Sequence, residues 1–303
     1  MRKQALHFGS IGVATFVWLV APAQKAVSQI LPNSPTTQWT AILYGPGNPT
    51  IPDPSTDQQT GSKEADIVGN TNHPSLYANF YDGGTPSLTD GQLAFRLRLA
   101  EEKNPPGFSG AAFIGMDGNA DGALDIFVGV DNSGSADFIG IWRAGSGANT
   151  SPATTSINNP SLYSFTETAS NYGWLLVSAT SDPLALSYDV DSGGGTDRFL
   201  SFVVPFTNVV AAMNVMGIGG FNEDSTVSYV AATATQANSL NQDLNGVNGG
   251  INSSATWASL GGFTLPYTPS GNLASPVPEP RSTALAFFGG IFLLCVRFFR
   301  TSH

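Results

Sequence analysis

Cysteine is nearly missing from this sequence: Cys295 is the only one, and it sits inside an apolar run close to the C-terminal end. The body ahead of that run therefore has no disulfide, no thiolate metal site and no cysteine nucleophile. Histidine is almost as scarce, with His73 alone between Gln29 and Pro276. The paired helical histidines of a metalloprotease are absent, and a Ser-His arrangement would depend wholly on His73. Positive charge is also short. The same interval holds Lys63, Arg96, Arg98, Lys103, Arg143 and Arg198 against 21 acidic residues, a balance of −15. Nucleic acid and anionic membrane are poor partners for such a surface, and divalent cations are better ones. No internal repeat of fixed period is visible, which disfavours a solenoid or propeller.

What is present begins with the two ends. Arg2 and Lys3 precede an apolar stretch from Ile11 to Val20, and Ala21-Pro22-Ala23 or Ala26-Val27-Ser28 offers a small-x-small cleavage site. Residues 1–28 read as a secretory signal peptide. At the other end Val277-Pro278-Glu279-Pro280 leads into an apolar run from Ala284 to Val296, followed by Arg297 and Arg300. As a helix this run spans roughly 20 Å at 1.5 Å per residue, short of a bilayer core of about 30 Å. Snorkelling of the two arginines, with Phe298 and Phe299 at the interface, extends it to a marginal transmembrane helix with its basic end cytoplasmic.

The order Val277-Pro278-Glu279-Pro280, apolar helix, arginine-containing end resembles the PEP-CTERM sorting signal of Gram-negative bacteria. The resemblance covers residues 277–303. It implies export through the Sec translocon, a transient stay in the inner membrane, and removal of the tail near the Pro-Glu-Pro motif by an exosortase. The mature protein would then reach the cell surface or the extracellular polysaccharide matrix.

Between the ends, Gln92 to Ala100 is the clearest strand, with Leu93, Phe95, Leu97 and Leu99 alternating with Ala94, Arg96 and Arg98. Similar segments lie at Ala111 to Met116, Leu124 to Val130, Phe138 to Trp142, Trp174 to Val177, Arg198 to Val204, Val215 to Gly219 and Val227 to Ala231. Each is bounded by Gly, Asn, Asp, Ser or Pro. Short helices are expected only around Phe206 to Met213 and Gln236 to Leu240. Many short strands separated by turn clusters predict an all-β fold, a single antiparallel β-sandwich of jelly-roll-like form with long loops. It is flanked by the signal peptide and the C-terminal transmembrane sorting helix. Residues 29–64 read as a proline-rich segment with one edge strand, 65–265 as the sandwich, and 266–276 as the linker to the tail.

Acidic oxygen dominates the chemistry. Asp117, Asn119, Asp121 and Asp125 alternate with residues that include Gly118 and Gly122. One short loop can wrap such donors around a hard cation, with the backbone carbonyl of Ala123 as a further ligand, so calcium is the expected cofactor. Val128 stands where an EF-hand has its bidentate Glu, and the loop leads into a strand, so it is similar to the Asp-rich calcium loops of extracellular β domains. The competing reading is an Asx-turn-rich hairpin with solvated acids. A second set, Asp189, Asp191 and Asp197 around Ser192-Gly193-Gly194-Gly195, has looser spacing and reads as a flexible hairpin or a second metal loop. Arg96 and Arg98 share one strand face, read as a polar outer face with cross-strand carboxylates; the alternative is an inward or concave position beside the acidic loops, where they would be ion-pair partners or touch a ligand. Trp39, Trp142, Trp174 and Trp257 lie in or beside expected strands, where core packing outweighs sugar stacking.

Catalytic signals are thin. Gly107-Phe108-Ser109-Gly110-Ala111 superficially resembles a nucleophile elbow but ends in Ala without an α/β context. Glu101/Glu102 and Glu223/Asp224 are acid pairs that could serve glycoside hydrolysis only at a defined separation across a cleft, and surface charge is the favoured account of them. The strands at Gln92 to Leu99 and the segment Ile114 to Gly122 also resemble bacterial surface β-sandwich domains, including carbohydrate-binding modules. The expectation is a non-enzymatic, calcium-stabilised sandwich with a structural or adhesive role. The alternatives are a carbohydrate-binding module and a secreted glycan-active enzyme.

Overall fold

A computed structural model describes residues 29–42, 53–59, 62–102, 107–145, 147, 151–157, 160–191, 195–237, 240, 242–249, 251 and 254–271. The expected signal peptide at 1–28 and the sorting tail at 277–303 lie outside the described residues. Among the described residues no helix is long and apolar enough to cross a membrane.

The alternation at 92–99 does what period two demands, placing Leu93, Phe95, Leu97 and Leu99 in one apolar layer. In chain order the strands are β1 (Thr40–Ala41), β2 (Leu76–Tyr81), β3 (Gln92–Leu99), β4 (Ala111–Asp117), β5 (Ile126–Asp131), β6 (Phe138–Arg143), β7 (Tyr163–Thr166), β8 (Tyr172–Leu176), β9 (Arg198–Pro205), β10 (Ser228–Ala234) and β11 (Asp243–Leu244). They form two antiparallel sheets, ordered β1-β2-β3-β9-β8 and β11-β10-β4-β5-β6-β7. The fold is all-β and sandwich-like. Leu76, Phe95, Leu97, Leu200 and Phe202 of the first sheet meet Ile114, Met116, Val128, Ile141 and Tyr229 of the second in one core.

Chain connectivity explains the register. β4 to β7 form an antiparallel meander, Asp117 at the end of β4 pairing with Ser228 of β10. The chain then crosses to the other sheet at β8, and β9 lies between β3 and β8. Helix α1 (Phe206–Val215) follows Pro205 directly, and its buried Phe206, Val209, Ala212 and Met213 join the core between the sheets. Val215 to Gly219, expected as a strand, instead ends this helix. The N–H of Met216 bonds back to the carbonyl of Ala212 and Gly217 adopts φ +88°. The region around Gln236 is a bend and turn rather than a helix, while a short helix, α2 (Trp257–Leu260), was not anticipated.

Both outer faces are covered as well. Ile30, Trp39 and Val177 pack on Tyr77, Ala94, Phe199 and Val203 outside the first sheet. Leu240, Leu244, Val247, Ile251 and Trp257 pack on Phe113, Phe127 and Val230 outside the second. This corrects the expectation for Arg96 and Arg98, which are fully buried. Arg96 donates to Ser201 Oγ and to the carbonyls of Pro32 and Ser34, and lies over the rings of Trp39 and Phe199. Arg98 reaches Asp182 at 2.5 Å and Asp197 at 2.9 Å. Their face is an interior layer because residues 30–39, Val177, Asp182 and Asp197 close over it.

Candidate functional site

The β4–β5 turn carries the sequence-predicted cation loop. Asp117 closes β4 and is buried, Asn119 and Asp121 are exposed, and Asp125 immediately precedes β5. Ala120 at φ +60° and Gly122 at φ +83° reverse the chain. The side chains are occupied by the turn itself. Asp117 accepts from the N–H of Asp121 at 3.3 Å and of Gly122 at 2.9 Å. Asn119 accepts from Asp121, Asp121 from Ala123, and Asp125 from Gly118, at 3.0, 2.8 and 2.8 Å. Burial raises the pKa of Asp117 and Asp125 against the pull of those N–H donors. Asp117, Asp121 and Asp125 are not among the described carboxylate groups whose oxygens converge closely enough to share an ion.

Two other acid groups do converge. Asp189, Asp191 and Asp197, named from the sequence as the looser set, place one oxygen each within 4.8 Å of the others. They sit beside positive charge. Asp197 pairs with Arg98, and burial pushes its carboxyl up to about 7 despite that partner. Lys63, paired with Glu101 at 2.9 Å, feels Asp189 and Asp191 as well.

Asp57, Asp66 and Asp243 form the second convergent group, again with one oxygen each within 4.8 Å of the others, and Asp53 feels their charge. Sequence reasoning missed all four. The only local sign was the Asp53-Pro54-Ser55-Thr56-Asp57 spacing, hidden in a proline-rich stretch. The fold assembles them: the 53–59 segment bridges to Gly69 through Asp53, and the β10–β11 ladder sets Asp243 opposite Thr233. Asp66, Asp243 and Asp53 are buried and Asp57 is half-buried. Burial raises all four, reinforced by repulsion from neighbouring acids at Asp53, Asp66 and Asp243: Asp66 reaches about 6, and Asp53 and Asp243 lie well above the usual carboxylate range.

The groups that would carry catalysis are engaged in structure. His73 Nε2 accepts from the backbone N–H of Leu186 and Ser187 at 2.9 and 3.1 Å, which leaves its Nδ1–H for Asn70 Oδ1 at 3.0 Å. Ser109 donates to Glu64 at 2.8 Å. Glu102 accepts from Arg198 and from the indole N–H of Trp174. Trp39, Trp142 and Trp257 are buried against Arg96, Phe113 and Phe127 respectively, so they present no face to a sugar. Compared with protein-family models, with curated proteins and with solved structures, the chain matches none.

Proposed function

We propose that the chain is an exported, exosortase-sorted surface or matrix protein of a Gram-negative cell. Its mature body is a non-enzymatic, jelly-roll-like β-sandwich stabilised by calcium, with a structural or adhesive role among extracellular polysaccharides. The observation that carries this reading is the tail, Val277-Pro278-Glu279-Pro280 followed by an apolar run and Arg297 and Arg300, joined to an acidic sandwich without cysteine. The signal-peptide pattern at 1–28 agrees with it. The burial of three tryptophans and the structural use of His73 favour a scaffold over a sugar platform or a Ser-His hydrolase.

The test is the fate of the tail. The full chain, tagged at its C-terminus, is expressed in a Gram-negative host with and without an exosortase. The tag is expected to be lost and the body to leave the membrane fraction only in the host that has the enzyme. Replacing Pro278 and Glu279 by Ala should retain tag and body in the membrane. Equal processing in both hosts, or none in either, would sink the sorting assignment.

A further inference from the structure

Four carboxylates meet in the interior where residues 53–59 and 62–66 lie against the end of the β10–β11 ladder. The donors that reach them are backbone N–H groups. Asp66 accepts from Thr56 at 2.9 and 3.2 Å, and Asp243 from Ile67 at 2.6 Å and Leu244 at 2.7 Å. Asp53 Oδ1 accepts from Gly246 at 2.5 Å and Asp57 Oδ2 from Gly249 at 2.9 Å. Such donors favour the ionised form of a carboxyl group. Two oxygens are left over, Asp53 Oδ2 and Asp57 Oδ1, without any hydrogen-bond partner. Asp53 is only 3% exposed, and its bond from Gly246 sets it beside the stretch that carries Asp243, within reach of the charges of Asp243, Asp57 and Asp66. Gln58 adds one more buried side-chain oxygen with no partner. None of the ion pairs among the described residues involves the four acids.

Burying several carboxylates without countercharge costs several kcal/mol for each ion, so this arrangement calls for a positive partner. Asp57, Asp66 and Asp243 each place one oxygen within 4.8 Å of the others, close enough to share one ion, and calcium takes such carboxylate oxygens at roughly 2.4 Å. The donor set is oxygen only, which disfavours zinc and other borderline metals.

We infer that Asp53, Asp57, Asp66 and Asp243 form an interior calcium site that fastens residues 53–59 and 62–66 to the β10–β11 ladder. The choice of calcium rests on the reading of the body as a calcium-stabilised exterior protein, and the location rests on the geometry alone. In a body without disulfides the ion is a crosslink: it joins Asp66 to Asp243, 177 positions apart.

The experiment uses the full chain in mild detergent, stripped with EDTA and titrated with calcium chloride by calorimetry, with melting followed in parallel. Wild type should bind calcium and melt higher with it. Asp243→Asn and Asp57→Asn should each weaken binding by about tenfold or more through lost ligand charge, and should lose the calcium-dependent rise in melting. Asp121→Asn, in the β4–β5 turn, should keep both. Should Asp243→Asn fail to fold, Asp57→Asn at the half-buried rim decides. Wild-type behaviour of the Asp57 variant would overturn the interior site. If Asp121→Asn alone abolishes binding, the calcium-stabilised reading survives and the interior site falls. If wild type binds no calcium at millimolar concentration, both fall.

Discussion

Replacing Arg98 by Met tests whether the face outside the first sheet is an interior layer. Arg98 is fully buried, bonded through Nη1 to Asp197 at 2.9 Å and through Nη2 to Asp182 at 2.5 Å, with its guanidinium 4.8 Å from the Phe199 ring. Met fills much of the same volume but leaves one fully and one largely buried carboxylate without their cation. Removing one partner of a buried pair costs about 3–5 kcal/mol. At about 2–4 °C per kcal/mol for a domain of this size, melting should fall by roughly 6–20 °C. Urea denaturation at saturating calcium gives the free energy, and the double variant with Asp197→Asn gives the coupling. Because that double variant removes an unpaired buried charge along with its partner, it should lose less than the two single losses added together. Arg198→Met is the control. Arg198 and Glu102 are part-exposed, so that pair should be worth only about 0–1 kcal/mol. A loss at Arg98 below about 1 kcal/mol with no coupling to Asp197 would refute the closed layer, because only solvated charges behave that way.

Glu167 offers a pH test away from the acid clusters. Burial, with Asp137 adding repulsion and Asn132 opposing it, raises its carboxyl from 4.5 to about 7. Its folded pKa lies above the unfolded one, so its contribution is fully present below about pH 4.5 and is lost as pH rises through 7. Glu167→Gln should therefore melt higher than wild type at pH 8 and about equally at pH 4, and a difference independent of pH would contradict this. Gly122 sits at φ +83° with open space where a Cβ would go. Gly122→Ala should cost about 1–2 kcal/mol through backbone conformation alone, whereas Gly134→Ala, also open and not at positive φ, should be nearly neutral in the same urea assay.

The strands that were legible are those whose own side chains declare two environments. Gln92 to Leu99 alternates cleanly, and the segments that became β4, β5, β6, β9 and β10 are apolar runs bounded by turn residues. β2 was not legible, since Leu76-Tyr77-Ala78-Asn79-Phe80-Tyr81 follows a His-Pro pair and mixes polar and apolar residues without a period. β7, Tyr163-Ser164-Phe165-Thr166, is too short to stand out. Val215 to Gly219 was misread because its apolar residues continue the helix that precedes it. Arg96 and Arg98 show the limit of pattern reading. Alternation identifies two faces of a strand, yet it says nothing about what the chain later lays across the second one. Only the docking of residues 30–39, Val177, Asp182 and Asp197 turns a charged outer face into a buried layer.

The acids divide along the same line. In the β4–β5 turn, carboxylates and N–H groups come from one stretch of chain, so the motif is visible in the sequence and the chain that supplies the oxygens also supplies the donors that satisfy them. Asp117 spends both oxygens in this way. In the interior cluster Asp53, Asp57 and Asp66 come from one stretch of chain and Asp243 from another far away in sequence, and the N–H groups nearby are too few for eight oxygens. Asp53 Oδ2 and Asp57 Oδ1 are what remains. A cation is drawn to unspent oxygen valence rather than to acid count, and burial raises the cost of leaving that valence unmet. The spacing at Asp117 to Asp125 thus advertises a loop that can close on itself. The stronger demand for an ion arises where no spacing rule reaches, because β10–β11 pairing and the docking of residues 53–59 and 62–66 create it.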